Sequence, residues 1–138
     1  MELYNLRRDQ VLEILQSAGA VLEGHFVLKA GDHAPAYVNK DFVFLDPEDV
    51  AKLCQAMALN INWQHLKPEV VVGPTMGGVI MSQWVAYYLA SIFEKSVKAV
   101  FAEKQGEGFA FTRGYGQFVT GKQVLIVEYV LTTGSSVQ

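Results

Sequence analysis

The sequence has little sulfur and few histidines: one cysteine, Cys54, and three histidines among 138 residues. A single thiol cannot close an intramolecular disulfide, and no histidines stand at the short spacing typical of zinc sites. His25 and His33 are therefore interpreted as surface residues. The composition excludes a disulfide framework, predicts no metal site built from protein ligands, and is typical of a reducing compartment.

Positive charge and long apolar runs are also scarce. Lysine and arginine number 11 against 14 acidic residues, a net charge of −3, with a pI of about 5.5. This balance argues against a nucleic-acid surface. The longest apolar run, from Gly77 to Phe93, contains Ser82 and Ser91 and is shorter than the roughly 20 residues that span a bilayer. Because the charged N-terminus also lacks a secretory apolar core, we expect a soluble, cytoplasmic protein that binds neither nucleic acid nor a membrane.

The sequence does contain enough apolar residues to form a hydrophobic core, since 51% of its residues are apolar. That fits one domain over residues 1–138. Strand-like runs at 70–72, 97–101 and 124–127 alternate with helical patterns. This order predicts an α/β fold, a parallel twisted sheet with flanking helices, plus a small hairpin at residues 20–40.

The most informative stretch is Val124 to Ser136. Four aliphatic residues predict a strand buried on both faces, Glu128 follows at its carboxyl end, and a turn of Thr, Gly and Ser comes next. Residues 128–136, the second loop, offer hydroxyls and backbone N–H groups that suit a phosphate. No Gly-Lys-Ser/Thr ends the turn, so it is not a Walker loop. The alternative is a strand that runs into an ordinary solvated turn.

A similar pattern occurs earlier, where the strand at 70–72 runs into residues 73–78, the first loop, before a long helix. A glycine-rich turn between strand and helix can hold an anion at the helix N-terminus. Glycine pairs at such a position also serve simply to relieve steric crowding. We expect both loops at the carboxyl edge of the sheet, where such folds bind ligands.

The second loop resembles the ribose-phosphate signature of type I phosphoribosyltransferases: an aliphatic strand, two acids, two variable residues and a Thr/Gly/Ser turn. The sequence departs from that signature at Tyr129, where the family usually has a second acid. The positions that match are Glu128, Thr132, Thr133, Gly134, Ser135 and Ser136.

Residues 20–40 resemble the hood of the orotate branch of that family, in the stretches from Gly24 to Gly31 and from Ala34 to Tyr37. The resemblance implies that the hood closes over the base, with Phe26, Lys29 and Tyr37 on the base side. The first loop resembles the pyrophosphate loop of the same branch. It implies pyrophosphate binding by Thr75, Met76, Gly77 and Gly78.

Residues 104–120 are rich in glycine and polar residues and predict a long mobile loop with at most a weak hairpin. In the family this segment is the lid. The resemblance implies that Lys104 meets the leaving pyrophosphate, with Arg113 as a second cation. Without the resemblance, both are simply solvated loop charges.

The implied reaction transfers ribose 5-phosphate from phosphoribosyl pyrophosphate to orotate. The resemblance assigns catalytic roles to Lys104, Glu128 and Tyr129, and 5-phosphate binding to residues 132–136. It also implies magnesium, held through the substrate near Glu128, and a homodimer. The resemblance also implies that residues 1–138 lack the C-terminal part of the family fold, its remaining strands and helices. Two alternatives remain: a non-catalytic phosphoribosyl pyrophosphate-binding regulator or remnant, and a purine-type phosphoribosyltransferase.

Overall fold

The structure, a computed structural model, describes residues 5–28, 31–74, 76–131, 134 and 137. The first helix, α1, covers Arg8–Ser17, and the Arg7 backbone N–H before it donates to Gln10 Oε1 at 3.0 Å. Gly19 follows the helix with a φ of +67°. Glycine tolerates this left-handed conformation, which turns the chain away from the helix.

The predicted N-terminal hairpin is present, with longer strands than expected. Strands β1 (Val21–Val27) and β2 (His33–Val38) pair antiparallel around the turn that contains Gly31. A β-bulge interrupts the register between Glu23 and Phe26. A bulge adds one residue to a strand and redirects the side chains that follow.

A 3-10 turn over Lys40–Leu45 connects the hairpin to helix α2, Pro47–Trp63. Asp46 caps α2, since its Oδ1 accepts a hydrogen bond from the Glu48 backbone N–H at 2.9 Å. Proline at the first helical position fits the same helix start. The inner face of α2 packs against the long helix described next.

The centre of the molecule is a strand–helix–strand unit. It consists of β3 (Val70–Gly73), helix α3 (Met76–Phe93) and β4 (Lys98–Phe101), and all four residues of β3 are buried. Strands β3 and β4 are parallel, with Val70 opposite Lys98. Helix α3 lies against β3, β4 and α2. This confirms the predicted α/β class.

The segment expected to be a long loop carries more structure than predicted. It contains a hairpin of β5 (Glu103–Gln105) and β6 (Gly108–Ala110), then a short helix α4 (Gly116–Val119). Its second half supplies four partly buried residues to a cluster with β3 and β4: Phe109, Phe111, Tyr115 and Val119. These apolar side chains explain the difference, because they hold the segment on one face of the sheet. Its mobility stays a prediction.

The last strand, β7 (Val124–Ile126), pairs parallel with β3, so the described sheet has the order β4-β3-β7. The prediction that this strand is buried on both faces is wrong. Leu125 and Val127 pack into the main core, but Val124 is 37% and Ile126 43% exposed. The reason is position: β7 lies at an edge of the described sheet, and the cover from residues 109–119 packs on β3 and β4.

Helix α3 is the one helix in the described part of the chain that is long and apolar enough, by length and composition, to cross a membrane. That observation is weak, because the core helix of a soluble protein has the same properties. Val85 and Leu89 of α3 are fully buried in the main core, so a packing role accounts for its apolar composition.

Candidate active site at the carboxyl edge of the sheet

The first loop leaves β3 at a point where backbones approach too closely for side chains. A Cβ at Gly73 would overlap the backbone of Gly78, and a Cβ at Gly78 would come within 2.8 Å of the Val127 carbonyl oxygen. Glycine is therefore needed at both positions. The close approach brings the first turn of α3 against the ends of β3 and β7.

This packing sets the N-terminus of α3 at the carboxyl edge of the sheet. The first helical turn presents unpaired backbone N–H groups and the positive end of the helix dipole, both of which favour an anion. Gly77 and Gly78 are buried there, whereas Met76 is 83% exposed. Thr75, predicted to bind pyrophosphate, lies outside the described residues.

The second loop starts from the same edge. The Val127 N–H donates to the Val72 carbonyl oxygen at 2.9 Å, which extends the pairing of β7 with β3 by one residue. The half-buried Glu128 follows, and its Oε1 accepts a hydrogen bond from the Tyr129 backbone N–H at 3.0 Å. Gly134 has a φ of +78°. The remaining predicted phosphate ligands lie outside the described residues: Thr132, Thr133, Ser135 and Ser136.

Tyr129 joins the two loops. A Cβ at Gly77 would overlap the Tyr129 ring, so the phenol lies directly on the first turn of α3. Phe44 packs edge-on to the same ring, with 5.2 Å between ring centroids. The residue that departs from the family signature thus fills the space between the first loop and the 3-10 turn.

Lys40 also contacts Tyr129, and the sequence analysis did not identify it. Its Nζ lies 5.0 Å from the Tyr129 ring centroid and 3.5 Å from Asp41 Oδ1. A hydrogen bond to Tyr129 is the main cause that raises the pKa of Lys40, and nearby Asp41 adds to it. Lys40 and Tyr129 are far apart in the sequence, so no local sequence pattern could have predicted their contact. The structure therefore places a cation beside the position where the family has an acid.

The segment that carries Lys104 leaves the sheet at the same edge. The Ala102 N–H donates to the Gly73 carbonyl oxygen at 3.2 Å, so the chain passes the first loop two residues before Lys104. Lys104 stands on β5 opposite Phe109, with an exposed side chain. An exposed ammonium on this hairpin is free of the packing that holds residues 109–119.

Arg113 is engaged elsewhere. Its Nη2 lies 3.0 Å from Glu103 Oε1, and its guanidinium lies over the Phe101 ring at 5.4 Å. The hydrogen bond that Arg113 donates to Glu103 raises the pKa of Arg113. The Glu103 carboxylate also accepts from the Thr112 hydroxyl. In this state Arg113 fastens the base of the hairpin to β4.

The hood brings two of its aromatic residues together. The rings of Phe26 and Tyr37 have centroids 5.7 Å apart, and Tyr37 is 46% exposed. Lys29 lies outside the described residues. The Asn39 N–H donates to the Ala20 carbonyl oxygen at 2.7 Å, which closes the open end of the hairpin within the hood.

A cavity of about 480 Å³ lies between α1, the 3-10 turn, α2 and residues 128–130. Most of its wall is aliphatic, from residues such as Leu15, Val50 and Met57, and its polar margin includes Lys40 and Glu128. An apolar wall offers few donors to a phosphate. This cavity therefore does not suit a phosphate.

The geometry defines a class of protein. A parallel sheet carries two glycine-containing loops at its carboxyl edge, one of them at a helix N-terminus. An acid follows one strand and an exposed lysine follows another. This is an α/β protein with two loops at the carboxyl edge of a parallel sheet, the place where such folds bind ligands.

Comparison with known proteins identifies the family. Residues 44–138 match the family model described as a phosphoribosyl transferase domain. The chain belongs to the phosphoribosyltransferase family. The matched region contains both loops and the lid.

Among individual proteins, the chain is 37% identical over 131 residues to the orotate phosphoribosyltransferase of Caulobacter vibrioides, covering 95% of this chain and 64% of that protein. It is 34% identical over 130 residues to the orotate phosphoribosyltransferase of Parvibaculum lavamentivorans, covering 94% and 63%. The chain thus spans just under two thirds of the length of these relatives.

Solved structures agree on the fold. The orotate phosphoribosyltransferase of Francisella tularensis superposes with a TM-score of 0.68 at 24% identity, over 91% of this chain and 59% of that one. The enzyme of the same name from Mycobacterium tuberculosis superposes with a TM-score of 0.62 at 22% identity, over 90% and 69%.

Proposed function

We propose that this protein transfers ribose 5-phosphate from phosphoribosyl pyrophosphate to orotate, forming orotidine 5′-monophosphate and pyrophosphate. The observation that carries the proposal is the identity of 37% to an orotate phosphoribosyltransferase across 95% of the chain. That match covers all but a few residues of the chain, so it includes the hood. The hood hairpin also favours orotate over a purine as the base.

The base would be held on the hood. Phe26 and Tyr37 are in ring contact and leave part of the Tyr37 surface open. An aromatic surface suits the flat face of a pyrimidine. Lys29 would supply the cation for the carboxylate of orotate.

The phosphates would be held at the edge of the sheet. Residues 132–136 would bind the 5-phosphate with hydroxyls and backbone N–H groups. The pyrophosphate would lie against the α3 N-terminus and residues 75–78, with Lys104 and Arg113 approaching from the lid. Arg113 would have to exchange its contact with Glu103 for the substrate.

The reaction requires little covalent chemistry from the protein itself. The ribose develops positive charge as the bond to pyrophosphate breaks, and the rate depends on stabilising both separating charges in an aligned, dry site. Lys104 would neutralise the leaving group, and Glu128 would hold the ribose hydroxyls. Tyr129 would offer a neutral hydrogen bond where the family has a second carboxylate.

Magnesium would be held through the substrate. No three His, Cys, Asp or Glu side chains come together in the parts of the chain that the structure describes. Mg²⁺ commonly binds through one carboxylate and substrate phosphates, which fits Glu128 beside the two loops. When bound, the ion would add positive charge next to the pyrophosphate.

We extend the proposal to the setting of the protein. It would act in the cytoplasm as a homodimer, with no nucleic-acid or membrane partner. The apolar residues that α3 exposes, among them Met76 and Tyr87, support a protein–protein contact.

The test is an assay of the purified protein with orotate, phosphoribosyl pyrophosphate and magnesium, reading pyrophosphate release and orotidine monophosphate formation together. We expect both products in equal amounts, and no product with adenine or hypoxanthine in place of orotate. Product with a purine alone would overturn the orotate assignment.

One observation favours a second candidate, a protein that binds phosphoribosyl pyrophosphate without turnover. Tyr129 replaces an acid, and the Glu128 carboxylate accepts a hydrogen bond from its own chain. Calorimetry separates the candidates: binding without product supports the non-catalytic reading, and absence of binding contradicts both.

A further inference from the structure

Two of the three histidines meet on the hood. His25 on β1 and His33 on β2 have ring centroids 4.8 Å apart, and His25 Nε2 lies 2.5 Å from His33 Nδ1. Both side chains are exposed. These histidines are surface residues, as interpreted from the sequence, and the structure adds that their rings are in contact.

The β-bulge explains why sequence spacing did not reveal the pair. Before the bulge Glu23 lies opposite Ala36; after it Val27 lies opposite His33. In an unbroken register Phe26 would lie opposite His33, and His25 would point to the opposite face of the hairpin. The extra residue turns His25 to the side on which His33 lies.

Two imidazole rings in contact can bind one metal ion between them. Each neutral ring has one nitrogen with a free lone pair, and zinc binds such nitrogens at about 2.0–2.1 Å. Two nitrogens that share one tetrahedral ion lie roughly 3.3 Å apart by that bond length. Small side-chain rotations of two exposed rings would open the present 2.5 Å separation to that distance.

We propose that His25 and His33 form a binding site for a divalent first-row transition metal ion, such as Zn²⁺, Ni²⁺ or Cu²⁺, that bridges the two strands of the hood. The ion replaces the contact between the two rings and links β1 to β2 beside the bulge. Water completes the coordination, because no third His, Cys, Asp or Glu joins a cluster within the described ranges. The site is therefore open and exchangeable rather than structural.

The chain offers few competing imidazole or thiolate ligands, with one further histidine and one cysteine. His65 follows the C-terminus of α2, with a φ of +58°. Cys54 is fully buried, and burial raises the pKa of its thiol to about 12. The site is also distinct from the proposed magnesium position, since Mg²⁺ prefers oxygen ligands and imidazole suits the transition metals.

Titration calorimetry with NiCl₂, ZnCl₂ and MgCl₂ tests the proposal on the intact chain. We expect one ion of nickel or zinc per chain, and no heat from magnesium in the absence of substrate. His25→Ala and His33→Gln should each weaken nickel binding on the order of tenfold or more. The matched control His65→Ala should leave it unchanged.

Histidine ring resonances provide a second measurement that does not depend on substitution. Substoichiometric Ni²⁺ should broaden the ring signals of His25 and His33 and leave those of His65 sharp. Equal broadening of all three, or nickel binding by His25→Ala/His33→Gln as tight as by the parent, would overturn the site. The result is independent of the proposed enzymatic function.

Discussion

Lys104 is the residue on which the proposed chemistry depends most. Its exposed ammonium stands on β5 at the edge where both loops leave the sheet. A group that meets charge only as a bond breaks acts mainly on the transition state. We expect Lys104→Ala to lower kcat on the order of a hundredfold, with a much smaller change in phosphoribosyl pyrophosphate binding, measured by steady-state kinetics and calorimetry.

Lys95 provides the control for that substitution. It is also exposed, but it lies beyond the C-terminus of α3, next to the start of β4. Lys95→Ala should leave kcat within about threefold of the parent. An equal loss in both variants would mean that general charge matters, and an unchanged Lys104→Ala enzyme would transfer the role to Arg113.

The substitution Tyr129→Asp tests whether a second negative charge near the ribose raises turnover. A phenol is neutral at pH 7, and a charge-assisted hydrogen bond is roughly twice as strong as a neutral one. Tyr129→Asp should therefore raise turnover with orotate at least severalfold, with little change in affinity for phosphoribosyl pyrophosphate. Lys40, whose Nζ lies 5.0 Å from the ring centroid, remains available to pair with the new carboxylate.

Tyr129→Phe is the companion measurement. It keeps the ring on Gly77 and removes only the hydroxyl, so it should not raise turnover. If Phe and Asp change the rate alike, ring packing controls the site, and the account of the missing acid is wrong.

At the scale of elements, the first and second loops are held together by the contact of Gly77 with Tyr129. Because a Cβ at Gly77 would overlap the Tyr129 ring, Gly77→Ala should destabilise the fold by about 1–3 kcal/mol. In a Tyr129→Ser background the same change should cost less, with a coupling of roughly 0.5–3 kcal/mol. Denaturant unfolding of the four proteins in this cycle measures it.

The substitution Gly116→Ala is the control for Gly77→Ala. A Cβ there meets nothing within 4 Å, and alanine suits helix α4. Gly116→Ala should leave the free energy of unfolding unchanged or raise it by up to about 1 kcal/mol. Additive effects of Gly77→Ala and Tyr129→Ser would show that the two loops do not touch.

The lid divides into two parts with different expected dynamics. Residues 105–108 form the tip of the β5–β6 hairpin, whereas Phe109 and Tyr115 pack on the sheet. We expect backbone amides at the tip to exchange fastest, those of residues 109–119 more slowly, and those of Val70–Val72 slowest. Hydrogen exchange followed by mass spectrometry measures this order, and a protected tip would contradict the expectation of a mobile lid.

At the scale of the whole molecule, α3 presents an apolar stripe. Met76, Ile80 and Tyr87 lie on one side of the helix and are 83%, 41% and 59% exposed. A homodimer that buries this stripe predicts that Tyr87→Glu shifts the protein toward monomer in sedimentation velocity. Leu45→Glu, at an apolar residue that is 76% exposed on the 3-10 turn, should leave the oligomeric state unchanged. Loss of the dimer in both variants would point to general destabilisation.

The sequence by itself determined the order of the main helices and strands and the position of both loops. Aliphatic runs such as Val70–Val72, together with the glycines that follow them, are local signals, and a parallel α/β arrangement follows from their alternation. The acid after β7 and the lysine after β4 could therefore be assigned to one edge of the sheet before any coordinates.

Only the tertiary structure decided which side chains meet. The contact of Lys40 with Tyr129 joins residues far apart in the chain, and the His25–His33 pair depends on a bulge that changes the strand register by one residue. The exposure of Ile126 likewise depends on what covers the sheet, not on its own strand. These features arise from long-range packing and register, for which a local apolar period carries no information.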